Sequence, residues 1–551
     1  MTTPPPKNDG KSPLWWQGGL VYEVYLRSFA DQNNDGIGDL RGLTGKLDYI
    51  AGLGVDAIWI TPFYPSPMKD FGYDVSDYTA IDSAFGTMAD FELLLKEAHK
   101  RGLKIIMDHV WSHTSDEHLW FKASADPAHP EHEKYRDWYV WSPPEKSDPS
   151  TPPNNWQSAF KGSAWEWNPQ RGSYYLHNFL KEQPDLNWHN PEVRKAIGDV
   201  AKFWLEKGVD GFRLDVCNYY THDAELKDNP LRSPPAPGKE INFDDQHNIH
   251  NINQPENLIY LDGLRKVFAA YPEALALGEL AAIDGDLQVV DKHLIPGKRL
   301  DTVYSNFLIY PDYPEAATIE KLLTGVAKHL PEKELCWVLG THDFHRVASR
   351  WRAPDPKLQK DMVVQTMAFL LSVPGLSSIY QGDELGLPDG AITFEQMQDP
   401  QGINFGDLKL SRDGCRVPFP WTEQGPSLGF NASGKSWLPA DEHYRPMAAD
   451  AQAGDAGSVL SMTRKMIKLR QETPAWRHGM LTDIFRSNTI LKFERTTPEG
   501  RMMFVFNFSA KAAECDDTFN AGKGKVLCEQ GFSVRDKKVH LAPYGFGAIK
   551  L

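Results

Sequence analysis

The chain has 551 residues and a formal net charge of -15, with 41% hydrophobic and 24% charged residues. This length is too great for one simple core and predicts two or three domains. The acidic balance argues against nucleic acid or an anionic membrane surface as a partner. No apolar run reaches the length of a membrane-spanning helix, so we expect no span.

The cysteines and the N-terminus predict a reducing compartment. Five cysteines are present without a CxxC pair, and this pattern does not suggest a disulfide framework. Reduced thiols are typical of cytoplasmic proteins. The first thirteen residues are polar and proline-rich and lack the apolar segment of a signal peptide. We therefore predict a cytoplasmic protein.

Short apolar runs typical of strands alternate with amphipathic stretches typical of helices. The predicted strands are Val21–Tyr25, Ala57–Ile60, Lys104–Met107, Gly211–Asp215, Leu275–Gly278, Cys336–Gly340 and Leu376–Tyr380. The predicted helices are Leu43–Leu53, Ala89–Arg101, Pro191–Lys207 and Leu261–Tyr271. This alternation predicts an α/β fold with a parallel sheet. Eight such units would close a (β/α)8 TIM barrel.

Two regions interrupt the alternation, and the C-terminal part changes it. Residues 111–187 are rich in Trp, Pro and His and predict a domain inserted after strand 3. Residues 221–256 form a long polar loop, and loops of this length are usually functional. Residues 472–551 carry short alternating strands at 489–493, 502–508 and 534–541, which predict a C-terminal β-sandwich. The barrel itself is assigned to residues 1–110 and 188–471.

The predicted strand Gly211–Asp215 ends on charged residues. Arg213 and Asp215 are two positions apart, so they share one side of the strand. We expect the guanidinium to lower the pKa of the carboxyl and keep it ionised. Such a pair is either a structural ion pair or an activated nucleophile for sugar chemistry, and this motif alone leaves both interpretations open.

Charged side chains also follow other predicted strands. In a barrel, residues at the carboxyl ends of the strands converge on one face. Crowded carboxylates repel one another and spread their pKa values, so that one stays ionised while another keeps its proton. Asp108 is predicted to be a buried hydrogen-bonding support, and His109 a packed core residue. The converging set comprises Asp74, Asp108, Asp215, Glu279, Asp343, His113, His342 and Arg213.

The order of these motifs resembles the α-amylase superfamily, glycoside hydrolase family 13, over nearly the whole chain. The motifs are Asp108–His113, Gly211–Asp215, Gly278–Glu279 and His342–Asp343. The run Gln183–Asn187 is similar to the subgroup of oligo-1,6-glucosidases, α-glucosidases, sucrose isomerases and trehalose synthases. Within it, the chain most resembles bacterial α-glucosidases that act on short substrates.

The resemblance implies a role for each matching residue. Asp215 would be the nucleophile, Glu279 the general acid and then base, and Asp343 the group that stabilises the transition state. A retaining glycosidase needs two carboxylates about 5 Å apart. An Asp74–Arg416 pair that closes the far end of the pocket would make the enzyme exo-acting. The implied substrate-binding residues are Asp74, Tyr73, His113, Phe160, Phe179, Arg213, His342 and Arg416.

Two features of the sequence conflict over the substrate. In the subgroup, Val after the nucleophile correlates with α-1,6 linkages, and Val216 holds that place. The run Tyr219–Leu226 instead resembles enzymes for short α-1,4 substrates. We expect a broad α-glucosidase for maltose, isomaltose, sucrose or short oligosaccharides, with transglucosylation compatible with the site. An oligo-1,6-glucosidase, a sucrose isomerase, a trehalose synthase and, remotely, a non-catalytic relative stay open as alternatives.

An Asx-rich loop near the N-terminus matches the start of an EF-hand loop, with Gly36 at the tight turn. The resemblance implies one structural Ca²⁺ or Mg²⁺ there, whereas the alternative is a turn without an ion. Ser112, where the family usually has Asn, argues against a second ion. We expect no organic cofactor and a monomer or homodimer. The predicted cation ligands are Asp31, Asn33, Asp35, Ile37 and Asp39.

Overall fold

Eight parallel strands form the centre of the computed structural model, which describes residues 13–146, 148–234, 238–283, 285–310 and 312–551. The hydrogen-bonded order is β7-β8-β1-β2-β3-β4-β5-β6, and β6 packs beside β7 to close the barrel. This arrangement confirms the predicted (β/α)8 barrel. The strands are β1 (Leu20–Val24), β2 (Ala57–Ile60), β3 (Lys104–His109), β4 (Gly211–Leu214), β5 (Leu275–Glu279), β6 (Thr302–Tyr304), β7 (Cys336–Val338) and β8 (Leu376–Tyr380).

The two faces of each strand have different partners because successive side chains point in opposite directions. In β1, Val21 packs inside the barrel, whereas Tyr22 and Val24 belong to the core shared with the surrounding helices. Trp59 of β2 and Ile106 of β3 fill the same interior. The barrel is therefore a packed core, and the site lies at its rim.

The sequence prediction omits one barrel strand, and it places Asp74 after a strand where the structure has none. β6 has only three residues, too few to show an alternating pattern. Asp74 does not follow a strand, because it lies in the connection between Ile60 and Met88, where no strand is assigned. The remaining barrel strands are close to their predicted positions, with boundary shifts of one or two residues.

The helices cover the outside of the barrel. The helix Met88–Lys100 shows why: Thr87 and Asp90 form a capping box at its start. Phe91, Leu94 and Ala98 then repeat at helical spacing on its buried face. The predicted helix Leu43–Leu53 is instead two helices. The α-helices are Leu40–Gly45, Leu47–Leu53, Met88–Lys100, Leu119–Ala125, His132–Tyr135, Pro191–Glu206, Pro255–Arg265, Leu287–His293, Ala316–His329, Val347–Arg350, Gln359–Leu370, Pro400–Phe405, Asp413–Arg416, Ala449–Ala453, Val459–Glu472 and Pro474–His478.

The segment between β3 and β4 contains its own small sheet. Its three antiparallel strands are Trp141–Ser142, Trp165–Asn168 and Ser173–Leu176. Trp156 and Trp165 stack in a separate apolar cluster beneath this sheet. These elements lie within residues 111–187, where the sequence predicts an inserted domain.

The C-terminal part is an antiparallel sheet domain, consistent with the predicted β-sandwich. One face, which includes Phe493 and Phe504, packs into the main core, and the other face has its own core around Val505 and Leu541. The predicted strand 534–541 is a hairpin, because Asp536 and Lys537 both have positive φ, as a tight hairpin turn requires. The strands are β9 (Met480–Ser487), β10 (Ile490–Thr497), β11 (Gly500–Asn507), β12 (Ala513–Asp516), β13 (Lys525–Arg535) and β14 (Lys538–Lys550).

Within the ranges that the structure describes, no helix combines the length and the apolar character needed to cross a bilayer.

Candidate active site

A cavity of about 210 Å³ opens at the carboxyl ends of the barrel strands. Its lining includes the predicted residues Tyr73, His113, Phe160, Phe179, Asp215, Glu279 and Asp343. Four of the residues predicted to be catalytic or to bind substrate lie outside the lining, namely Asp74, Arg213, His342 and Arg416. The lining also contains Val216, which the sequence connects with the choice of linkage, and six residues for which the sequence predicts no role: Asp70, Gln183, Ala281, Phe344, Gln401 and Arg412.

Arg213 is fully buried beneath the cavity and contacts three carboxylates. Its Nη1 donates to Asp108 Oδ1 at 2.8 Å and to Asp215 Oδ1 at 2.7 Å. Its Nη2 donates to Glu279 Oε2. Tyr304 OH accepts from Nε and Nη2 at 3.0 and 2.7 Å. The guanidinium group of Arg213 therefore contacts the carboxylates of both Asp215 and Glu279 and holds them near each other.

The register of the sheet explains this convergence. β3 and β4 pair Asp108 with Arg213 directly, and β4 and β5 pair Arg213 with Leu277. Glu279 lies two residues after Leu277, on the same face of β5. Asp215 likewise lies two residues after Arg213. Parallel neighbours thus bring these charges together from chain segments that are about 170 residues apart.

Asp108 and His109 have the supporting roles that the sequence predicts. Asp108 is buried, and its Oδ2 accepts bonds from Trp59 Nε1 at 3.1 Å and Tyr73 OH at 2.9 Å. His109 stacks on Trp111 and is fully buried. Burial lowers the pKa of His109 to about 3, so this imidazole is neutral.

The carboxylates around Arg213 do not have the pKa pattern expected from the sequence. Burial raises the pKa of Asp215 well above its ordinary value, although Arg213 opposes the change. Burial likewise raises the pKa of Glu279. One cation that serves three buried carboxylates cannot keep all of them ionised at low energetic cost. Arg213 does lower the pKa of Asp215, as expected, but burial outweighs that effect, so the expectation of a net lowered pKa is wrong.

Asp343 has the opposite electrostatic environment. Its Oδ1 accepts from Arg412 Nη1 at 3.1 Å and from Arg416 Nη2 at 2.9 Å. Burial alone would raise its pKa, but His342 and the two guanidinium groups outweigh that effect and lower it. Only the arginines are charged at neutral pH, because burial keeps the pKa of His342 well below its ordinary value. Asp343 is therefore firmly ionised.

His342 lies behind Asp343 and is aimed by Glu23. Nδ1 of His342 is 2.7 Å from Glu23 Oε1, which also accepts from the His342 backbone N–H at 3.2 Å. This arrangement leaves Nε2 facing Asp343 Oδ2 at 3.2 Å. Glu23 is fully buried in β1, and an isolated Glu within a strand gave no signal of this role in the sequence.

The predicted role of Asp74 at the far end of the pocket is corrected by its hydrogen bonds. Its carboxylate accepts from Ser66 Oγ at 2.8 Å and from the backbone N–H groups of Lys69 and Asp70 at 2.9 and 3.0 Å. Asp74 therefore closes a turn and has no exposed surface. The carboxylate that reaches the cavity is Asp70, four positions earlier.

The predicted role of Arg416 is corrected in the same way. Arg416 donates to the carbonyl of His342 at 2.7 Å and to Asp343, but it lies outside the cavity lining. Arg412, four positions earlier, donates to Asp70 Oδ1 at 2.8 Å and lies over the ring of Phe160. The expected ion pair exists, but each partner is shifted by four residues, because both motifs offer two candidates of the same charge.

Tyr73 and His113 form one side of the cavity. The ring of Tyr73 stacks on His342 with centroids 5.2 Å apart, and its hydroxyl is held by Asp108. His113 Nε2 donates to the carbonyl of Tyr73 at 3.0 Å, while Nδ1 accepts from Ser112 Oγ at 2.9 Å. Burial lowers the pKa of His113 to about 4, so it offers a neutral ring to a ligand.

Phe160 and Phe179 come from the inserted segment and form an apolar side of the cavity. Their rings meet edge to face at 5.7 Å. Phe179 then stacks on Tyr219, and Tyr219 stacks on Phe243 of the long loop. These stacked rings connect the cavity to the loop between residues 221 and 256.

Val216 has a strained backbone beside the carboxylates of Asp215 and Glu279. Its φ is 32°, which is unusual for a β-branched residue. In this conformation its N–H donates to Glu279 Oε2 at 3.1 Å while its side chain lines the cavity. The strain therefore places a hydrogen-bond donor on Glu279 and an apolar group in the pocket.

The long loop supports the pocket from behind. Asn251 Nδ2 donates to Asn178 Oδ1 at 2.9 Å, and Asn229 Nδ2 donates to Asn251 Oδ1 at 2.9 Å. Gln246 also donates to the carbonyl of Asn155 at 2.8 Å. No residue within 221–234 and 238–256 lines the cavity, so this part of the loop contributes support and not lining.

The predicted cation loop is closed by its own hydrogen bonds. Asp31 accepts from the N–H groups of Asn34 and Gly36 at 2.6 and 2.8 Å, and Asp35 accepts from Ile37 N–H at 2.8 Å. Three or more His, Cys, Asp or Glu side chains are nowhere grouped as a metal site in the part of the chain that the structure describes. The geometry is that of successive Asx turns, and the cation stays a prediction.

Comparison with known proteins agrees with the resemblance to the α-amylase superfamily over most of the chain. A model of the alpha-amylase catalytic domain matches residues 23–479. A probable alpha-glucosidase of Rhizobium meliloti (strain 1021) is 42% identical over 505 residues, covering 91% of this chain and 90% of that protein. An oligo-1,6-glucosidase of Parageobacillus thermoglucosidasius is 35% identical over 535 residues, with coverage of 90% and 91%.

A solved structure extends the likeness to three dimensions. The crystal structure of an alpha-glucosyl transfer enzyme, XgtA, superposes with a TM-score of 0.90 at 42% sequence identity. The match covers 98% of this chain and 100% of that one. The barrel, the strand-end charges and these likenesses agree. The chain therefore belongs to the alpha-amylase family and is a glycoside hydrolase.

Proposed function

We propose that this protein is a retaining, exo-acting α-glucosidase for short maltooligosaccharides and disaccharides. The observation that carries the proposal is the shared guanidinium of Arg213, which holds the carboxylates of Asp215 and Glu279 at one point of the cavity floor. Two carboxyl groups on one guanidinium suit the spacing of about 5 Å that retention requires, rather than the wider spacing of inverting enzymes.

The first step transfers the glucosyl unit to the enzyme. An oxygen of Asp215 attacks the anomeric carbon and forms an ester, while the bond from that carbon to the leaving oxygen breaks. Glu279 gives its proton to the leaving oxygen, and its raised pKa preserves that proton. Asp343 stays ionised beside the sugar, where its charge stabilises the developing positive charge.

The second step releases the sugar. Glu279, now a carboxylate, takes a proton from water as the water oxygen attacks the anomeric carbon and the ester to Asp215 breaks. Two inversions restore the original configuration. An alcohol that replaces water in this step gives transglucosylation, and the likeness to a glucosyl transfer enzyme supports that side reaction.

The Asp70–Arg412 ion pair supports exo action. The two side chains bond at 2.8 Å at the edge of the cavity, and Asp399 holds Arg412 from behind at 2.6 Å. A polar pair at a closed end suits the hydroxyl groups of a terminal glucose. The small cavity also suits a single sugar unit.

The linkage depends on the wall near Val216. Val216 follows the nucleophile and lines the cavity, and its side chain belongs to the apolar cluster of Tyr219 and Phe243. An oligo-1,6-glucosidase is the second candidate, favoured by Val216 and by a relative of that name. We favour a broad α-glucosidase because the more similar curated relative is named a probable alpha-glucosidase.

Product analysis after incubation with maltose, isomaltose and sucrose tests this proposal. We expect glucose as the main product from maltose, released first as the α-anomer. Trehalose or isomaltulose as the main product would replace the proposal with a synthase or isomerase. Release of the β-anomer would contradict the retaining mechanism, and inactivity on all three sugars would favour a non-catalytic relative.

We also propose one structural divalent cation, Ca²⁺ or Mg²⁺, in the N-terminal loop. The oxygen donors of Asp31, Asn33, Asp35, Asp39 and the Ile37 carbonyl suit a hard cation, because oxygens that accept one N–H keep further lone pairs. EDTA should lower the midpoint of thermal unfolding, and added Ca²⁺ should restore it. An unchanged midpoint, together with neither Ca²⁺ nor Mg²⁺ in the purified protein by elemental analysis, would contradict the cation.

A further inference from the structure

His345 connects three loops beside the proposed active site. It lies two residues after Asp343, on the segment that follows β7. Its Nδ1 is 2.8 Å from Asp389 Oδ2, and its Nε2 is 2.7 Å from the carbonyl oxygen of Lys409. Asp389 follows β8, and Lys409 lies three residues before Arg412. The imidazole therefore joins the segments that carry Asp343 and Arg412.

The same two segments meet a second time at the cavity. There Arg412 Nη1 donates to Asp343 Oδ1 at 3.1 Å. The His345–Lys409 contact and the Asp343–Arg412 contact thus join the same pair of segments, which Arg416 also joins through Asp343 and the carbonyl of His342. Loss of the His345 bond would loosen the part of the segment that carries Lys409 and Arg412.

The partners of His345 define its protonation state. A carboxylate oxygen and a carbonyl oxygen are both acceptors, so both ring nitrogens must donate. Only the imidazolium form has two N–H groups. A neutral imidazole would place a bare nitrogen lone pair against one of the two oxygens and would lose that bond.

We propose that His345 is a positioning residue whose imidazolium form fixes the Arg412 segment against Asp343, so that its deprotonation weakens substrate binding and turnover. This inference rests on the proposed α-glucosidase function. It predicts a loss of activity on the alkaline side that arises from loop geometry and not from the general acid.

The surrounding charges agree with this arrangement. The bond to Asp389 raises the pKa of His345 to about 8, against the opposing effects of burial and of Arg350. Arg350 donates to the backbone carbonyl of His345 at 2.9 Å. Arg346 donates its N–H to the other oxygen of Asp389 at 2.7 Å, which keeps that carboxylate in place.

The test is the pH dependence of kcat/KM for p-nitrophenyl α-glucoside between pH 6 and 10. This leaving group needs little protonation, so the contribution of the general acid Glu279 is reduced. We expect the native enzyme to fall about tenfold near pH 8 to a lower plateau, the size of effect that a small displacement of a binding group produces. Inhibition by glucose should weaken over the same range.

Three variants separate this role from a merely structural one. Asp389→Asn removes the charge that raises the pKa of His345, so the decline should move to lower pH. His345→Lys keeps a cation with several donors, and its decline near pH 8 should disappear. His345→Gln should stay near the lower plateau at every pH.

His443→Gln is the matched control, because His443 also pairs with an aspartate, Asp441 at 2.9 Å, but is largely exposed and lies outside the cavity lining. It should keep the native pH profile, and thermal unfolding at pH 7 should verify that each variant is folded. A decline at the native pH in both Asp389→Asn and His345→Lys would overturn the inference. Absence of hydrolysis by the native enzyme would instead refute the proposed function.

Discussion

Two parts of the site differ in construction. The floor of the proposed active site consists of Asp108, Arg213, Asp215 and Glu279, which lie at the ends of adjacent strands and are placed by sheet register. The pocket wall consists of the inserted segment, the connection that carries Asp70 and the segment around Arg412, which meet through an aromatic ring and one ion pair. The loop at 221–256 supports this wall from behind through side-chain amides.

The two parts are expected to have different roles, with the floor responsible for the reaction and the wall for substrate selection. The floor is charged, largely buried and tied to the barrel core, so we expect a change there to alter the reaction itself. The wall is made from loops whose mutual positions depend on many individually modest bonds. We therefore expect large effects on turnover from the floor and smaller effects on binding and linkage from the wall.

Replacement of the proposed nucleophile should give the largest effect. Asp215→Asn should lower kcat by at least about 10⁴-fold, because the amide cannot form the ester intermediate. Burial raises the pKa of Asp215 in the native protein, so its ionised form lowers the free energy of unfolding at neutral pH. Because the amide carries no charge, the variant should unfold at a higher temperature. Turnover like that of the native enzyme would refute the assignment of the floor.

The pH profile on maltose should show two limbs that belong to the floor. Asp215 must be ionised, and because burial raises its pKa, activity should rise with pH at values above the ordinary range of an aspartate. Glu279 must keep its proton, so activity should fall as pH rises through its raised pKa. The two groups share Arg213, so the measured values describe the pair. An acid limb at or below pH 3.8 would contradict this account.

Changes to the Asp70–Arg412 ion pair should have an effect of intermediate size. Asp70→Asn removes a charged partner of Arg412 that faces the cavity, and kcat/KM on maltose should fall about 10²-fold. Asp74→Asn is the matched control, four residues away and outside the lining, and should leave KM near its native value. A larger increase in KM from Asp74→Asn than from Asp70→Asn would restore the original assignment.

The loop contact should give the smallest effect. Asn251→Ala removes the amide that joins Asn178 to Asn229, and we expect KM for maltose to rise about threefold with kcat nearly unchanged. Asn253→Ala, in the same loop but bonded to Asn218 at 3.1 Å, serves as the comparison. A loss of kcat of more than about tenfold in Asn251→Ala would show that the wall contributes to the reaction itself.

The sequence predicts the floor well because each of its charges belongs to a short strand motif that can be recognised by itself. Charged residues that end apolar strands converge wherever parallel strands close a barrel, so Asp215, Glu279 and Asp343 could be placed together from their motifs alone. The direction of the pKa shift of Asp215 could not be predicted from the sequence. It depends on the balance between burial and the cation that Asp215 shares with other carboxylates, and that balance is set by the folded structure.

The sequence predicts the wall less well because its contacts are distant along the chain. Asp70 and Arg412 are 342 residues apart, and each has a neighbour of the same charge four positions away. Pattern alone gives no basis for choosing between the two members of each pair. The three-residue strand Thr302–Tyr304 was missed for a different reason, since it is too short to show a period.

Trapping the covalent intermediate tests the central claim most directly. A slow substrate such as 5-fluoro-α-glucosyl fluoride should accumulate as an ester, and mass spectrometry of the digested protein should locate the added sugar on the peptide that contains Asp215. The guanidinium of Arg213 places this carboxylate beside the proposed acid Glu279, and therefore predicts that single site. A label on Glu279 or on Asp343, with Asp215 unmodified, would contradict the account.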